Sequence, residues 1–474
     1  MTVPSLPPVP HPSDSDPAPD DSPRLDVFPA DFCWGAATAA YQIEGAAGYD
    51  GRKPSIWDTF SHSPDATLNG DTGDIACDHY HRWHDDFDVA KSLNLNAYRF
   101  SVSWARLQPT GRGPLNPLAV AHYRAQLERL RALGIRPFVT LYHWDLPQEL
   151  EDAGGWPARE TVDRFAEYAA RTAEALGDLA TDWITTNESW CQAFLGYGEG
   201  KHAPGRRDWR AAVAAAHHLN VAHGLAVRAI RAARADASVG TAQLIVDFVP
   251  ASSSPADAAA ARRWDAYHNQ TFLGPLRGGG YPADVLDLYR EDGLAELIRP
   301  GDDAVMAEPI DFLGVNHYQQ VVVAHDDDGT PPLRARDIPA EPALTSLGWS
   351  VKPESLRNVL VRVAGEFPDL PLYVTESGAS FDDYVDPDGN VLDQERVDYL
   401  RRYLAAAGDA IKDGVDLRGY FAWSLLDNFE WAEGYRMRFG LIYVAYDTQA
   451  RIPKASALWY RDLITDHAAL PRPA

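Results

Sequence analysis

The sequence predicts an α/β fold, a single (β/α)₈ TIM barrel with its active site at the C-terminal ends of the strands. Short apolar runs with strand character alternate with helical patterns along almost the whole chain. The chain has 474 residues, 45% of them hydrophobic, so it is long enough for one large core. Two of the runs lead into a glutamate, as expected where barrel strands reach an active site.

Eight runs have the length and composition of strands. Each is a short stretch rich in apolar, β-branched or aromatic residues. They are 33–38 (CWGAAT), 97–102 (AYRFSV), 136–142 (RPFVTLY), 181–186 (TDWITT), 239–246 (VGTAQLIV), 311–315 (DFLGV), 371–375 (PLYVT) and 418–424 (RGYFAWS).

Many of the segments between these runs have helical periodicity. In residues 159–177, apolar side chains recur three or four positions apart, and Gly177 is a plausible stop. These side chains are Val162, Phe165, Ala166, Ala169 and Ala173. Residues 119–134 repeat the arrangement and close with Gly134. Strands that alternate with helices in one long chain are typical of a (β/α)₈ barrel.

The two ends of the chain differ from the rest in composition. Residues 1–24 are rich in Pro, Ser and Asp and cannot bury a core, so we predict a disordered tail. They lack the basic start and apolar stretch of a secretory signal, and we expect a cytoplasmic protein. Residues 25–466 form the predicted catalytic barrel, and residues 467–474 a short C-terminal tail.

The composition argues against several classes of partner. A net charge of −25 disfavours nucleic acid or an anionic membrane surface as the main partner. No apolar run approaches the length of a membrane span. Cys33, Cys77 and Cys191 are too few and too scattered for a disulfide framework or a CxxC metal site, and they fit a reducing interior.

Two glutamates stand at the ends of predicted strands. Glu376 follows the apolar run of PLYVTESGAS, and Glu188 follows Asn187 in TDWITTNES. A charged residue at a strand end can simply meet water. Alternatively, two such carboxyl groups can meet across one barrel mouth, where a protonated and an ionised partner hydrolyse a glycosidic bond. The 14 tryptophans suit the second interpretation, because indole packs well against sugar rings.

A long series of motifs runs along the chain in a characteristic order. The motifs are FCWGAATAAYQIEG, CDHYHRW, YRFSVSWAR, TLYHWDLPQ, TNES, DFLGVNHY, LGWSVKPESL, YVTESG, GYFAWSLLDNFEWAEGY and RFGLIYV. Together they resemble glycoside hydrolase family 1, the β-glucosidase family of retaining enzymes with (β/α)₈ barrels. The resemblance runs from about Phe28 to about Tyr460, and an extended match is far more specific than one motif.

The resemblance implies roles for individual residues. Glu188 matches the acid/base and Glu376 the nucleophile. The residues matching those that hold the non-reducing sugar are Gln42, His143, Asn187, Tyr318, Trp423, Glu430 and Trp431. Those matching the support of the nucleophile are Arg99, Asn316 and Tyr318, and Trp144 and Trp349 match the aglycone side. Arg99 would keep Glu376 ionised, whereas Glu188 needs a raised pKa to carry its proton.

A structural interpretation stands beside several of these roles. Gln42 could satisfy a buried backbone group, Trp423 and Trp431 could be core residues, and Arg99 could form a structural ion pair.

Four positions depart from the family pattern. Ser189 stands where proline is usual and Ser377 where asparagine is usual. Ala445 replaces an aspartate and His317 a common tyrosine. None of these positions carries the chemistry, so we expect local changes in backbone or packing.

Three further groups of residues could indicate other functions. The stretch DHYHRWHDD concentrates possible metal ligands, but Trp83 breaks the HxHxDH pattern, and the segment matches a helix start in the family. The ligands in question are His79, His81, His84, Asp85 and Asp86. RGGGY at 277–281 lacks the GxxxxGK phosphate pattern and predicts a loop turn. His217, His218 and His223 are expected to be ordinary solvated or packed residues on one helix.

The sequence therefore predicts a retaining β-glucosidase acting on terminal non-reducing β-D-glucosyl residues of small β-glucosides and cello-oligosaccharides, with neither cofactor nor metal. A sugar-binding barrel without activity and a myrosinase-like enzyme are disfavoured because both glutamates are present. A 6-phospho-β-glycosidase is disfavoured because Glu430 would repel a phosphate on O6. The sequence leaves open whether the enzyme also catalyses transglycosylation and whether it prefers glucose, galactose or fucose. It also leaves open the natural aglycone and the oligomeric state.

Overall fold

The computed structural model describes residues 22–330, 332–339 and 344–471. Most of the predicted N-terminal tail and the last three residues of the predicted C-terminal tail lie outside the described residues. Within them, the final helix runs from Ala455 to Ala468, across the predicted barrel boundary at 466. No helix in this part of the chain is long and apolar enough to cross a membrane.

The strands form one closed barrel and two small accessory sheets. They are β1 (Cys33–Thr38), β2 (Ala97–Ser101), β3 (Arg136–Tyr142), β4 (Asp182–Asn187), β5 (Ser238–Leu244), β6 (Asp247–Pro250), β7 (Phe312–Asn316), β8 (Gln320–His325), β9 (Ala335–Ile338), β10 (Leu372–Ser377), β11 (Leu417–Trp423), β12 (Ile442–Ala445) and β13 (Ala450–Pro453). The barrel order is β1-β11-β10-β7-β5-β4-β3-β2, with every neighbouring pair parallel. The predicted fold class is thus confirmed.

Helices connect the barrel strands. They are α1 (Ala40–Ile43), α2 (Ile56–Ser61), α3 (His79–Ser92), α4 (Trp104–Leu107), α5 (Pro117–Ala132), α6 (Gln148–Asp152), α7 (Glu160–Leu176), α8 (Trp209–Ala233), α9 (Pro255–Asp265), α10 (Thr271–Leu276), α11 (Ala283–Leu288), α12 (Leu294–Leu297), α13 (Asp302–Met306), α14 (Pro353–Glu366), α15 (Gln394–Lys412) and α16 (Ala455–Ala468). Short 3₁₀ turns lie at Leu25–Val27, Leu68–Gly70, Arg290–Asp292 and Trp431–Glu433, and π-helical turns at Cys191–Gly198 and Ala266–Gln270.

The helices that the periodicity predicts are present, and local signals explain their ends. In α5, Pro117 occupies the first turn and Asn116 caps the helix by accepting from the Leu118 amide. The chain then turns at Gly134, whose φ of 71° favours glycine. In α7, the acidic residues Glu160 and Asp163 lie in the first turn, where their negative charges interact favourably with the positive end of the helix dipole.

The eight predicted strands are confirmed, with ends displaced by at most two residues. The accessory strands were not predicted. β6, β8 and β9 form a three-stranded sheet beside the barrel mouth, and β12 and β13 form a hairpin. β6, β9 and β13 are each four residues long without a buried residue, and β8 and β12 are only partly buried, so their apolar signal is weak.

A layer of four aromatic rings fills the barrel near the N-terminal ends of its strands. Phe138 lies at its centre, with ring centroids 5.1 Å from Phe421, 5.3 Å from Tyr373 and 6.0 Å from Phe312. Such side-chain layers make a (β/α)₈ barrel a packed core. A Cβ on Gly35 would lie only 2.4 Å from the Phe421 ring, so this layer requires a glycine on β1.

Candidate active site

The predicted catalytic glutamates stand at the same end of the barrel, on strands separated by β5 and β7. Glu376 is the penultimate residue of β10, and Glu188 directly follows β4. Glu188 has a φ of 47°, unusual for a residue with a side chain, and its amide donates to the Ala242 carbonyl at 2.8 Å. The Glu376 carbonyl accepts from the His317 amide at 2.9 Å. Strand pairing therefore fixes the backbone at both positions.

Glu376 is buried and held by a cation and a phenol. Arg99 of β2 donates from Nη1 to Glu376 Oε1 at 2.5 Å, and Tyr318 donates its hydroxyl to Oε2 at 2.7 Å. Burial raises the pKa of Glu376, and the Arg99 charge is the strongest of the effects that oppose this rise. The contact with Arg99 thus favours the ionised form of Glu376 against the effect of burial, and its role in catalysis stays a prediction.

Glu188 is also buried, but no cation of the described residues forms an ion pair with it. The Asn316 amide donates to Oε1 at 2.8 Å, and the Cys191 thiol donates to Oε2 at 3.3 Å. Burial, followed by repulsion from Glu376, raises the pKa of Glu188 to about 8. A carboxyl group with this pKa carries a proton at neutral pH, as a general acid must.

A chain of amide contacts joins the two glutamates. Asn187 Oδ1 accepts from Arg99 Nη2 at 2.5 Å and from Asn316 Nδ2 at 3.0 Å. Asn316 Oδ1 in turn accepts from the Thr375 hydroxyl at 2.6 Å. Because Asn187 accepts through Oδ1, its Nδ2 is the donor toward His143 Nε2 at 3.0 Å. The hydrogen bonds thus fix the orientation of every amide between the two carboxyl groups.

The far end of the site carries polar atoms that have no protein partner. Gln42 Nε2 donates to the Asn428 side chain, the Phe429 carbonyl and Glu430 Oε2, whereas Gln42 Oε1 is buried and unpaired. His143 Nδ1 is also buried without a partner. Burial raises the pKa of Glu430 to about 8. Unsatisfied buried polar atoms are rare, and in a cavity they mark positions that suit ligand hydroxyls.

Aromatic rings surround these polar atoms. The His143 ring lies 5.8 Å from Trp423 and 5.9 Å from Trp431, in both cases with planes 21° apart. Trp144 packs 4.5 Å from Trp431, and its indole donates to the Asn187 carbonyl at 2.9 Å. Trp144, predicted for the aglycone side, therefore lies among the residues predicted for the sugar.

A cavity of about 490 Å³ opens onto both glutamates and Glu430. His143, Trp423 and Trp431 line it beside these carboxyl groups. Much of the remaining lining is apolar and comes from Trp190, Leu195, Leu244, Val246, Phe248, Trp264, Val321, Leu347 and Trp349, with polar side chains from Lys201, His202, His268, Gln319 and Glu433 among them. Arg99, Asn187, Asn316 and Gln42 contact the lining residues from behind.

Sequence reasoning missed several residues of this site. Cys191 contacts Glu188, His202 packs 5.4 Å from Trp144, and Asn428 orients Gln42. The outer apolar wall was also missed, apart from Trp349. Only the closeness of Cys191 to the TNES motif could have signalled any of them.

The other constellations have structural partners. His79 contacts Asp86 at 2.7 Å, and Asp86 also accepts from Arg451. Among the described residues, no group of three or more His, Cys, Asp or Glu side chains could hold a metal ion. The glycines of 277–281 all have positive φ, which confirms the predicted turn, and the three histidines of α8 are buried, which confirms them as packed residues.

Three of the departures from the family pattern have local partners. The Ser189 amide donates to Gln243 Oε1 at 3.2 Å, and the Ser377 hydroxyl lies 3.2 Å from that of Tyr399. His317 is buried between the Ile245 carbonyl and the Ser355 hydroxyl. The fourth, Ala445, ends β12 in the hairpin.

Comparisons with known proteins agree with this geometry. The model of the family described as Glycosyl hydrolase family 1 matches residues 24–469. The chain is 45% identical to beta-glucosidase A of Thermotoga maritima, covering 93% of this chain and 98% of that protein. It is 43% identical to the 1,4-beta-D-glucan glucohydrolase of Thermotoga neapolitana, covering 93% and 98%. A solved structure of the family 1 β-glucosidase from Thermotoga maritima superposes with a TM-score of 0.90 at 44% identity, covering 94% and 99%.

Proposed function

The chain belongs to glycosyl hydrolase family 1 and is a glycoside hydrolase, and from this premise we propose that it is a retaining β-glucosidase. Its substrates are the terminal non-reducing β-D-glucosyl residues of small β-glucosides and cello-oligosaccharides. One observation supports the proposal most strongly. Two buried glutamates share one cavity, and Arg99 forms an ion pair with Glu376 but not with Glu188. The two carboxyl groups are therefore suited to different protonation states.

In the first step, Glu376 attacks the anomeric carbon and Glu188 protonates the departing glycosidic oxygen. The C–O bond to the aglycone breaks, and a covalent ester forms between the sugar and Glu376. Arg99 and Tyr318 hold the attacking carboxylate, and burial keeps the proton on Glu188 until the leaving oxygen receives it.

In the second step, Glu188 is ionised and acts as a base. It takes a proton from water as the water oxygen attacks the anomeric carbon, and Glu376 leaves as a carboxylate. Two inversions give overall retention. An alcohol or a second sugar in place of water yields a transglycosylation product by the same step.

Recognition of the sugar uses the inner part of the cavity. His143 lines the cavity and its Nδ1 is buried and unpaired, so a hydroxyl group of a bound glucose can satisfy it. Gln42, behind this lining, orients Glu430 by donating to its Oε2. Glu430 can bridge two neighbouring hydroxyls, and Trp423 and Trp431 provide flat surfaces for the ring. The carboxyl group of Glu430 also disfavours a phosphate on O6.

The outer cavity supports apolar aglycones. Its wall includes Trp190, Phe248, Trp264 and Trp349 together with aliphatic side chains, and these outweigh its few polar side chains. Aromatic or alkyl leaving groups bury apolar area against this wall, whereas a second glucose unit presents many hydroxyls to it. We therefore expect aryl β-glucosides to be better substrates than cellobiose.

The stereochemistry of the first-formed sugar tests the mechanism. NMR of an aryl β-glucoside digest should show β-glucose before mutarotation, because double displacement retains configuration. A panel of nitrophenyl glycosides, with cellobiose as the natural comparison, ranks glucose, galactose and fucose. α-Glucose appearing first refutes the two-step mechanism, and no turnover on any β-glycoside refutes the proposed activity.

Further aspects of the proposal rest on the sequence alone. We expect a cytoplasmic enzyme that works without cofactor or metal and binds neither nucleic acid nor membrane. The oligomeric state is left open. Fractionation of the native source cells tests the location, and activity after exhaustive chelation tests the independence from metal.

A further inference from the structure

Cys191 lies beside the predicted acid/base and has no role in the mechanism above. It begins the π-helical turn Cys191–Gly198, and its amide donates to the Glu188 carbonyl at 3.0 Å. Its side chain is buried, lines the cavity and places Sγ 3.3 Å from Glu188 Oε2. Backbone and side chain therefore both tie this residue to Glu188.

We propose that Cys191 is a positioning residue for the acid/base, whose rotatable thiol holds Oε2 of Glu188 in both of its protonation states. The proposal rests on the assignment of Glu188 as the acid/base under the proposed function. It goes beyond that function because it names the oxygen that carries the proton and the side chain that aims it.

The contacts of Glu188 identify this oxygen. The Asn316 Nδ2 group donates to Oε1, and the Thr375 hydroxyl donates to Oδ1 of the same amide, so the orientation of Asn316 is fixed. Oε1 is therefore kept as an acceptor, and the proton of the neutral acid resides on Oε2. Among the described residues, the hydrogen-bond partner of Oε2 is the Cys191 thiol alone.

A thiol suits a position whose partner changes role during the cycle. When Glu188 is protonated, Sγ is a weak acceptor that does not compete strongly with the leaving oxygen for the proton. When Glu188 is ionised, the S–H group rotates and donates to Oε2. A donor to the ionised form lowers the pKa of Glu188, and this contact is among the effects that oppose its burial.

Other charged groups act on Glu188 in the same cavity. Glu376 and Glu430 repel its charge, whereas Arg99 attracts it. The Tyr318 hydroxyl also faces it. None of these changes when Cys191 is replaced, so a matched set of variants isolates the thiol.

The test is the pH profile of kcat/KM for Cys191→Ala, Cys191→Val and Cys191→Ser. Ala and Val remove the donor, and Val keeps most of the volume. In both variants, we expect the fall of kcat/KM on the basic side of the profile to shift to higher pH by about half a unit. This is roughly a threefold change in the protonation equilibrium. Serine keeps a rotatable donor, so its limb should stay in place or move downward.

Cys33→Ala is the matched control. Cys33 is also a buried thiol, but it begins β1 and its side chain contacts Arg136 at the opposite end of the barrel. Its pH profile should equal that of the wild type. Identical basic limbs for all three Cys191 variants and the wild type would overturn the proposal.

An infrared titration provides a readout that does not need turnover. The carboxyl band of Glu188, assigned by its loss in Glu188→Gln, should titrate at higher pH in Cys191→Ala than in Cys191→Ser. An unchanged band position and midpoint in Cys191→Ala contradicts the proposal even if every variant is inactive. A wild type that cleaves no β-glycoside refutes the proposed function but leaves this titration decisive for Cys191.

Discussion

At the N-terminal ends of the barrel strands, the interior is filled by the rings of Phe138, Phe312, Tyr373 and Phe421. At the C-terminal ends, the same strands surround buried carboxyl groups and unpaired polar atoms. At these N-terminal ends, Arg136 of β3 forms two hydrogen bonds of 2.7 Å with Asp182 of β4, so these two charges are paired.

The difference shows how one scaffold separates stability from chemistry. In the aromatic layer the rings pack against one another, and the nearby charges of Arg136 and Asp182 are paired, as in a stable protein core. The opposite end holds carboxyl groups in an environment that disfavours their charge, a cost that function can explain. Substitutions in the aromatic layer should therefore lower stability, whereas substitutions at the glutamates should lower activity.

Glu376→Ala should lose nearly all turnover, by at least about 10⁴-fold in kcat on aryl β-glucosides, because no covalent intermediate can form. The protein should remain folded, because Arg99 keeps its hydrogen bonds to the Asn187 side chain and the Thr375 carbonyl. Added azide or formate should fill the vacated space and give product of inverted configuration. Circular dichroism checks the fold, and turnover near the wild-type rate in a folded variant would contradict the nucleophile assignment.

Glu188→Gln should lose about 10²–10⁴-fold in the glycosylation rate of substrates with poor leaving groups. Activated aryl glucosides should lose much less in that step, because a good leaving group needs no proton. Pre-steady-state rates across a leaving-group series measure the difference. Equal losses across the series would rule out Glu188 as the acid.

Phe138→Ala tests the other end of the barrel. Removing a fully buried ring from the aromatic layer should lower the free energy of unfolding by about 3–5 kcal/mol. Below its melting transition, the variant should keep kcat within about threefold of the wild type, because the apolar ring makes none of the hydrogen bonds that hold the glutamates. Denaturant titration and kinetics at low temperature measure the two effects. A large loss of kcat without a loss of stability would contradict the separation.

The pH dependence of kcat/KM should show a basic limb near pH 8. The pKa of Glu188 is raised to about 8, so its proton is present below this pH and is lost above it. Each further pH unit should lower kcat/KM about tenfold. In Glu188→Gln this limb should disappear for an activated substrate, and its persistence would assign the limb to another group such as Glu430.

Ser189→Pro restores the residue usual in the family and should have the smallest effect. Position 189 opens a helical turn, where proline is tolerated, but the change removes the amide donor to Gln243. We expect changes within about threefold in kcat/KM and about 1 kcal/mol in stability. Gln243→Leu breaks the same contact without altering the backbone. A loss above tenfold in both variants would show that this contact helps to hold Glu188.

The sequence predicts the barrel well because apolar runs and helical spacing carry the signal. All eight barrel strands were found, whereas β6, β8 and β9 were not, since their pairing depends on how loops fold back over the barrel mouth. The strand-end glutamates follow from barrel geometry together with the family motifs. Their hydrogen-bond partners do not. That Asn316 donates to Glu188, and that Cys191 reaches Oε2, depend on side-chain positions that no spacing encodes.

The aromatic layer closes the cavity at its inner end, and this closure governs how a long substrate is degraded. Because the described rings fill the barrel on that side, we expect a chain to enter with its non-reducing end first and only one glucosyl unit to pass the cleavage point. Under the proposed mechanism, the shortened chain and then glucose leave by the same opening. We therefore expect the degradation of a cello-oligosaccharide to be distributive, with chains of intermediate length released into solution.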